Sequence, residues 1–399
     1  MSIPLHTRCE YPGCDKTETL QACDYCQYVF YCSREHRRAH LSEHKPLCTE
    51  LATANSRYHA EYRKLRRFPG NKKCPPRPFD NAVGRFTEFP ETLGYRKAKR
   101  AVVEVLLKTR TKEAIEACVE HGLEIHRLCW SGASVWLRNQ TPLFMIMLGR
   151  YQDAYDFSKW LFIDEEDRDN YSKDAIHYSR RDLEELVPFN LINGKLDSDV
   201  WESAQDPFEP LDFIRKKVPN EYYCLGMILV KIMLLEDIKN LENLRLLEKL
   251  PALRKHKELL SLIGDYIPST DILQGDTGIL SLDEKELGEL RQTLEEQINR
   301  LFVVIGGDNF HFWTAMLKRS GPDYRASDEP WYMLFERLPG AVQIVQSRLE
   351  MAKKGDQRLL QFCSCTLQKY LRGEISKGFV SCNSGRCFFG RRAESFFVV

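Results

Sequence analysis

Eight cysteine and histidine side chains in the first 48 residues are spaced as metal ligands. Cys9 and Cys14 are separated by four residues, Cys23 and Cys26 by two, and both Cys32/His36 and His44/Cys48 by three. A Cys-x-x-Cys reaches one metal across a tight turn. An x-three spacing puts two side chains on one face of a helical turn. Eight such donors serve two Zn²⁺ ions with four protein ligands each. That leaves no open position for water, so the metals are expected to be structural rather than catalytic. His40 lies four residues from both His36 and His44, which leaves it open as an alternative to His36.

The elements that must position these donors are short. Ser33 suits an N-cap, and the polar run after it predicts a helix over Ser33–Lys45. Leu20, Tyr25, Tyr28, Val29, Phe30, Tyr31, Leu41 and Leu47 are the apolar material of the unit. That is too little to hold about 40 residues by packing alone. Zinc, at roughly 10–16 kcal/mol of apparent binding energy per site, is therefore a folding requirement here.

The run Tyr31-Cys32-Ser33-Arg34-Glu35-His36, then Ala39 and His44-Lys45-Pro46-Leu47-Cys48, resembles the second half of a MYND finger. The pairs Cys9/Cys14 and Cys23/Cys26 resemble its first half. The resemblance implies a small cross-brace finger with interleaved pairs. One zinc would take Cys9, Cys14, Cys32 and His36, and the other Cys23, Cys26, His44 and Cys48. His36 stands where the family usually has cysteine, and it remains a competent zinc ligand. The resemblance also implies protein or peptide partners. Peptide-binding members carry a glutamine and a tryptophan where this chain has Arg37 and Leu41. Those two positions are thus the expected partner-binding residues, with an acidic residue near the apolar anchor of the peptide.

Outside the finger the chain has a globular composition. Hydrophobic residues are 43% and charged residues 29%, with a formal net charge of +1, so no overall field draws in nucleic acid or membrane. The most apolar window, Cys224–Leu235, is broken by Lys231 and is too short to span a membrane. No apolar leader precedes Cys9, and six of the fourteen cysteines cluster between Cys9 and Cys48. The expected compartment is reducing and intracellular, in the nucleus or cytoplasm.

Residues 50–90 read as a basic, proline-containing linker. Arg57, Arg63, Lys64, Arg66, Arg67, Lys72 and Lys73 precede Pro75-Pro76-Arg77-Pro78, with Tyr58 and Tyr62 interleaved. The run reads as a solvated helix face sooner than a nucleic-acid patch. Residues 91–371 carry helical periodicity and form a mainly α-helical, solenoid-like candidate. Its stripes include Leu225, Ile228, Ile232 and Leu235, and then Leu287, Leu290, Leu294, Ile298, Leu301 and Ile305 behind a capping box at Ser281–Glu284. Leu148–Ala154 resembles a fragment of a tetratricopeptide repeat. Glu91–Ala98 and Tyr155–Trp160 resemble segments of fungal MYND proteins with long helical regions.

Residues 372–399 read as an irregular tail. Cys363, Cys365, Cys382 and Cys387 faintly resemble a post-SET zinc site, and the expectation stays at two zinc ions. The sequence is read as a non-enzymatic adaptor, in transcriptional regulation or protein turnover. The alternative is a SET-MYND lysine methyltransferase. That group has a long segment before its finger and an Asn-His-Ser-Cys string after it. Here eight residues precede Cys9 and no such string occurs. Cys118, Cys129, Cys224, His121 and His126 lie on or near apolar helical faces and read as core.

Overall fold

The computed structural model describes residues 5–129, 135–159, 161, 205–214, 221–252, 256–308, 312–319, 329–354 and 356–360. They divide into two compact units, one ending at Gly149 and the other beginning at Arg150. The tail cysteines, Trp160 and Asn309–His311 lie outside the described residues. Among those described, no helix is long and apolar enough to cross a membrane.

The first unit starts with an antiparallel pair of two-residue strands, β1 (Gln21–Ala22) and β2 (Phe30–Tyr31). Helix α1 (Arg34–Arg66) follows directly. It begins where expected, with Ser33 Oγ accepting from the His36 amide at 3.2 Å. It does not stop at Lys45. Pro46 lies inside it, at the cost of one N–H, and the helix runs on for twenty residues. The downstream turns are held by burial: Leu51 and Leu65 are 2% and 1% exposed.

The segment 50–90, expected as a linker, is thus part of the fold. Beyond α1 the chain closes a tight loop, with Arg77 N donating to Phe68 O at 2.9 Å. It then enters a short helix, α2 (Pro78–Asn81). Tyr58 and Tyr62 point inward. Tyr58 meets Tyr95 at 5.5 Å between ring centroids, and Tyr62 meets Phe79 at 5.0 Å. The sequence reading missed this because charge dominates composition there, while the buried positions recur only every third or fourth residue.

Three further helices lie among the described residues of the unit: α3 (Leu93–Thr109), α4 (Lys112–Leu128) and α5 (Val135–Met147). α1 packs on α3, α3 on α4, and α4 on α5. The faces of α3 and α4 that meet are those the periodicity marks, with Ala98, Val102, Leu106, Ile115 and Cys118 at 0–1% exposure. A side chain at Gly122 would collide with Thr141 Oγ1, so glycine lets α4 and α5 approach closely. Lys99 is buried beneath the rings of Tyr58 and Tyr95 and pairs with Glu124.

In the second unit, residues 151–159 are helical (α6). They are followed by α7 (Glu221–Lys249), α8 (Lys257–Tyr266), α9 (Asp271–Gly275), α10 (Thr277–Leu280) and α11 (Glu284–Asp308). Four more follow among the described residues: α12 (Phe312–Lys318), α13 (Glu329–Arg337), α14 (Ala341–Lys354) and α15 (Gln357–Leu360). α7 is buried on nearly all sides from Tyr222 to Leu235, as a central helix must be. Its main partner is α11, with three described helices between them in the chain. A solenoid pairs successive elements; here successive helices also touch, while the most extensive pair, α7 with α11, joins elements distant in sequence.

Two buried polar groups fix neighbouring segments onto α7. Lys231 Nζ donates to Pro207 O and Gln297 Oε1, each at 2.6 Å. The Asp237 carboxylate accepts from the amide and hydroxyl of both Ser269 and Thr270, at 2.7–3.1 Å. The capping box is real but shifted by two residues. Asp283 N donates to Glu286 and Glu286 N donates back to Asp283, each at 2.9 Å. Ser281 is already used, its hydroxyl donating to Gly278 O.

A packed segment at 50–90 has a measurable signature. Leu65→Ala should cost about 2–5 kcal/mol of unfolding free energy, the range for emptying a fully buried leucine site. Urea titration followed by tryptophan fluorescence and circular dichroism would report it, and a linker would show no change.

Candidate metal centre

The finger is built from turns that leave thiols facing one another. Cys9 N donates to Lys16 O, and Gly13 takes a φ of +80° in the turn that carries Cys14. Cys23 and Cys26 occupy the bend between β1 and β2. There Cys23 N donates to Val29 O at 2.7 Å and Gln27 N to Cys23 O at 2.9 Å. Cys32 follows β2, while His36, His44 and Cys48 project from α1.

These elements gather the donors into two groups. Cys9, Cys14, Cys32 and His36 form one, and Cys23, Cys26, His44 and Cys48 the other. Within each, all ligand atoms lie within 4.8 Å of one another. The separations have a specific meaning. A tetrahedron with Zn–S of about 2.3 Å has an S···S edge of about 3.8 Å, and a mixed S···N edge slightly shorter. Cys14 Sγ lies 3.8 Å from Cys32 Sγ. His36 Nδ1 lies 3.5 Å from Cys9 Sγ and 3.4 Å from Cys32 Sγ, and His44 Nε2 lies 3.4 Å from Cys26 Sγ. The donors therefore stand as ligands around a common centre and fit two zinc ions.

The protonation chemistry agrees. Burial lowers the basicity of His44 and favours the neutral imidazole that binds metal. Burial pushes the Cys26 thiol up to about 12 in the metal-free chain, so zinc uptake must displace its proton.

His40 is the histidine the groups leave out. Its Nδ1 lies 3.1 Å from Tyr31 Oη and its Nε2 3.5 Å from Glu43. His36 is instead stacked on Tyr11, with centroids 4.3 Å apart. The ambiguity between the two histidines thus falls to His36.

A family model of the MYND finger matches residues 9–48. Residues 9–48 are a MYND finger. The match and the two four-ligand groups agree on the cross-brace, with the first pair joined to the third and the second to the fourth. No curated protein and no solved structure matches the chain. MYND fingers are generally protein-interaction modules.

This MYND finger is fused to the helical unit. Its entering segment is tied down by Leu5 N donating to Met147 O at 3.0 Å and by Thr7 bonded to Glu113. Glu50, two residues past the last ligand, pairs with Lys108 of α3 at 2.5 Å.

The two residues expected to meet a partner sit differently. Leu41 is 49% exposed, one helical turn before His44. Arg37 is tied to Asp24 at 2.6 Å, so its charge is already matched within the finger. Tyr25, which sequence reading assigned to the core, is 83% exposed. Its position between Cys23 and Cys26 was the available signal, because a residue inside a zinc knuckle has little protein to turn toward.

Full-length His36→Ala should lose about one of two zinc ions per chain, while His40→Ala should keep both. Metal content by mass spectrometry measures this, and two zincs retained in His36→Ala would contradict the ligand set.

Proposed function

We propose that this protein is an adaptor whose MYND finger docks a protein partner while its helical units serve as scaffold. The observation that carries the reading is the surface around the second zinc group. Tyr25 and Leu41 flank a site already supplied with four protein ligands, and neither side chain is covered by the core. Large exposed apolar groups beside a rigid metal knuckle suit an interface anchor, since the metal fixes them at little entropic cost. Arg37 is supporting structure in this reading. Its pairing with Asp24 removes the reason to expect an acidic residue at the anchor itself.

Zinc on this reading organises a surface and performs no reaction. Recruitment in transcription or in protein turnover is the setting we propose for it, without a catalytic step.

The test is affinity capture on the full chain, comparing wild type with Tyr25→Ala, Leu41→Asp and Cys26→Ser. Hot-spot truncation costs about 2 kcal/mol or more, so a specific partner should weaken by roughly thirtyfold or more in the two surface variants. Both variants should keep two zinc ions. A partner set unchanged in all three variants would remove the finger from the interaction. Transfer of a labelled methyl group from S-adenosylmethionine to protein would overturn the non-catalytic reading.

A further inference from the structure

The finger's own helix carries a second surface. Leu41, Lys45, Ala52, Ser56, Arg63 and Arg67 follow alternating spacings of four and seven, which is one face of a helix, and all are exposed. The carboxylates of the same stretch, Glu43, Glu50 and Glu61, follow spacings of seven and eleven and share a different face. Glu50 turns to Lys108 and Glu61 approaches Lys64 at 3.7 Å. The exposed face is thus free of negative charge from its apolar end at Leu41 to its basic end at Arg67.

The basic end continues past the helix. Lys72, Lys73 and Arg77 are exposed on the loop closed by Arg77 N to Phe68 O. The Asn71 side chain accepts from the amides of Lys73 and Cys74 at 2.8 and 2.7 Å, so these cations stand on a structured turn. Asp80 is matched by Arg66 at 3.1 Å and reached by Arg77 at 3.5 Å. Residues 51–100 hold thirteen Lys and Arg against four Asp and Glu, in a chain whose net charge is +1. The excess is therefore a local feature.

We propose that this face of α1 is a docking track for an extended acidic peptide segment of the partner. An apolar residue seats at Leu41 beside the finger, and a run of carboxylates meets Arg63, Arg67, Lys72 and Lys73. Charge complementarity and continuity with the finger's own surface select this occupant. Single-stranded nucleic acid fits less well. It needs aromatic faces for base stacking, and Tyr58 and Tyr62, interleaved in the basic run, are packed against Tyr95 and Phe79. From Leu41 to Arg63 the helix rises about 33 Å, a span that about ten extended residues cover.

The inference rests on the finger being a docking site, and the experiment separates the two. Fluorescein-labelled hexaglutamate is titrated into the full, zinc-loaded chain. A second probe joins hexaglutamate through ten Gly/Ser residues to a Leu-Pro-Leu head, made in both chain directions. In at least one direction the headed probe should bind about tenfold tighter than hexaglutamate, by effective concentration, and lose that gain in Leu41→Ser. The fourfold variant R63Q/R67Q/K72Q/K73Q should weaken both probes by about tenfold and flatten their salt dependence. Circular dichroism and two zincs per chain confirm that each variant is folded. A head-dependent gain with no effect of the fourfold variant overturns the track and leaves the finger reading standing. No gain in either direction, with the charge effect intact, overturns Leu41 as an anchor and the two-point track with it. Tighter binding of single-stranded RNA or duplex DNA of matched charge overturns the peptide assignment.

Discussion

Helix α1 supplies three of the eight zinc ligands from its first fifteen residues and buries Leu51 and Leu65 from its remainder. One continuous backbone therefore serves two kinds of order. The N-terminal turns are specified by metal geometry, where tetrahedral edges fix side chains to within a few tenths of an ångström. The later turns are specified by packing against α3. Nearly everything else in the first unit is placed relative to this helix. β1, β2 and the turn before them bring the remaining thiols to its start, and Lys99, Tyr58 and Tyr95 fill its contact with α3.

The finger and the second unit solve the problem of small and large cores by different means. The finger has few apolar side chains, and its thiols and imidazoles are set for metal. The second unit has a helix buried on nearly all sides and uses buried polar groups to fix its loops. Lys231 and Asp237 each satisfy several partners at once, which is what allows an ionisable group at full burial.

The metal centre was legible in the sequence because ligand chemistry demands residue types at narrow spacings. All eight donors stand in the predicted groups, and the choice between His36 and His40 is decided by which imidazole faces the thiols. The helices of the second unit were likewise visible, α11 by its apolar stripe and α7 by its continuous apolar run. What sequence concealed was of another kind. The helix was expected over Ser33–Lys45, yet it continues through Pro46, whose fixed φ is compatible with helix although it removes one hydrogen bond and crowds the Ser42 carbonyl. The basic run at 57–73 hid the inward face of Tyr58, Tyr62 and Leu65. Ser281 matched a capping pattern that Asp283 and Glu286 in fact complete, because Ser281 was committed to the turn before. For the basic run a tertiary contact decided the outcome, and for Ser281 a local hydrogen bond three residues back did.

Pro46 also gives α1 a mechanical character. The hydrogen bond it removes would join its amide to the carbonyl of Ser42, and the zinc ligands His44 and Cys48 straddle that turn. One metal ion held by both side chains would span that turn, supplying there the cross-link that the backbone ladder lacks. The proline and this cross-link would then fall at one place in the rod, between its apolar end and its basic end.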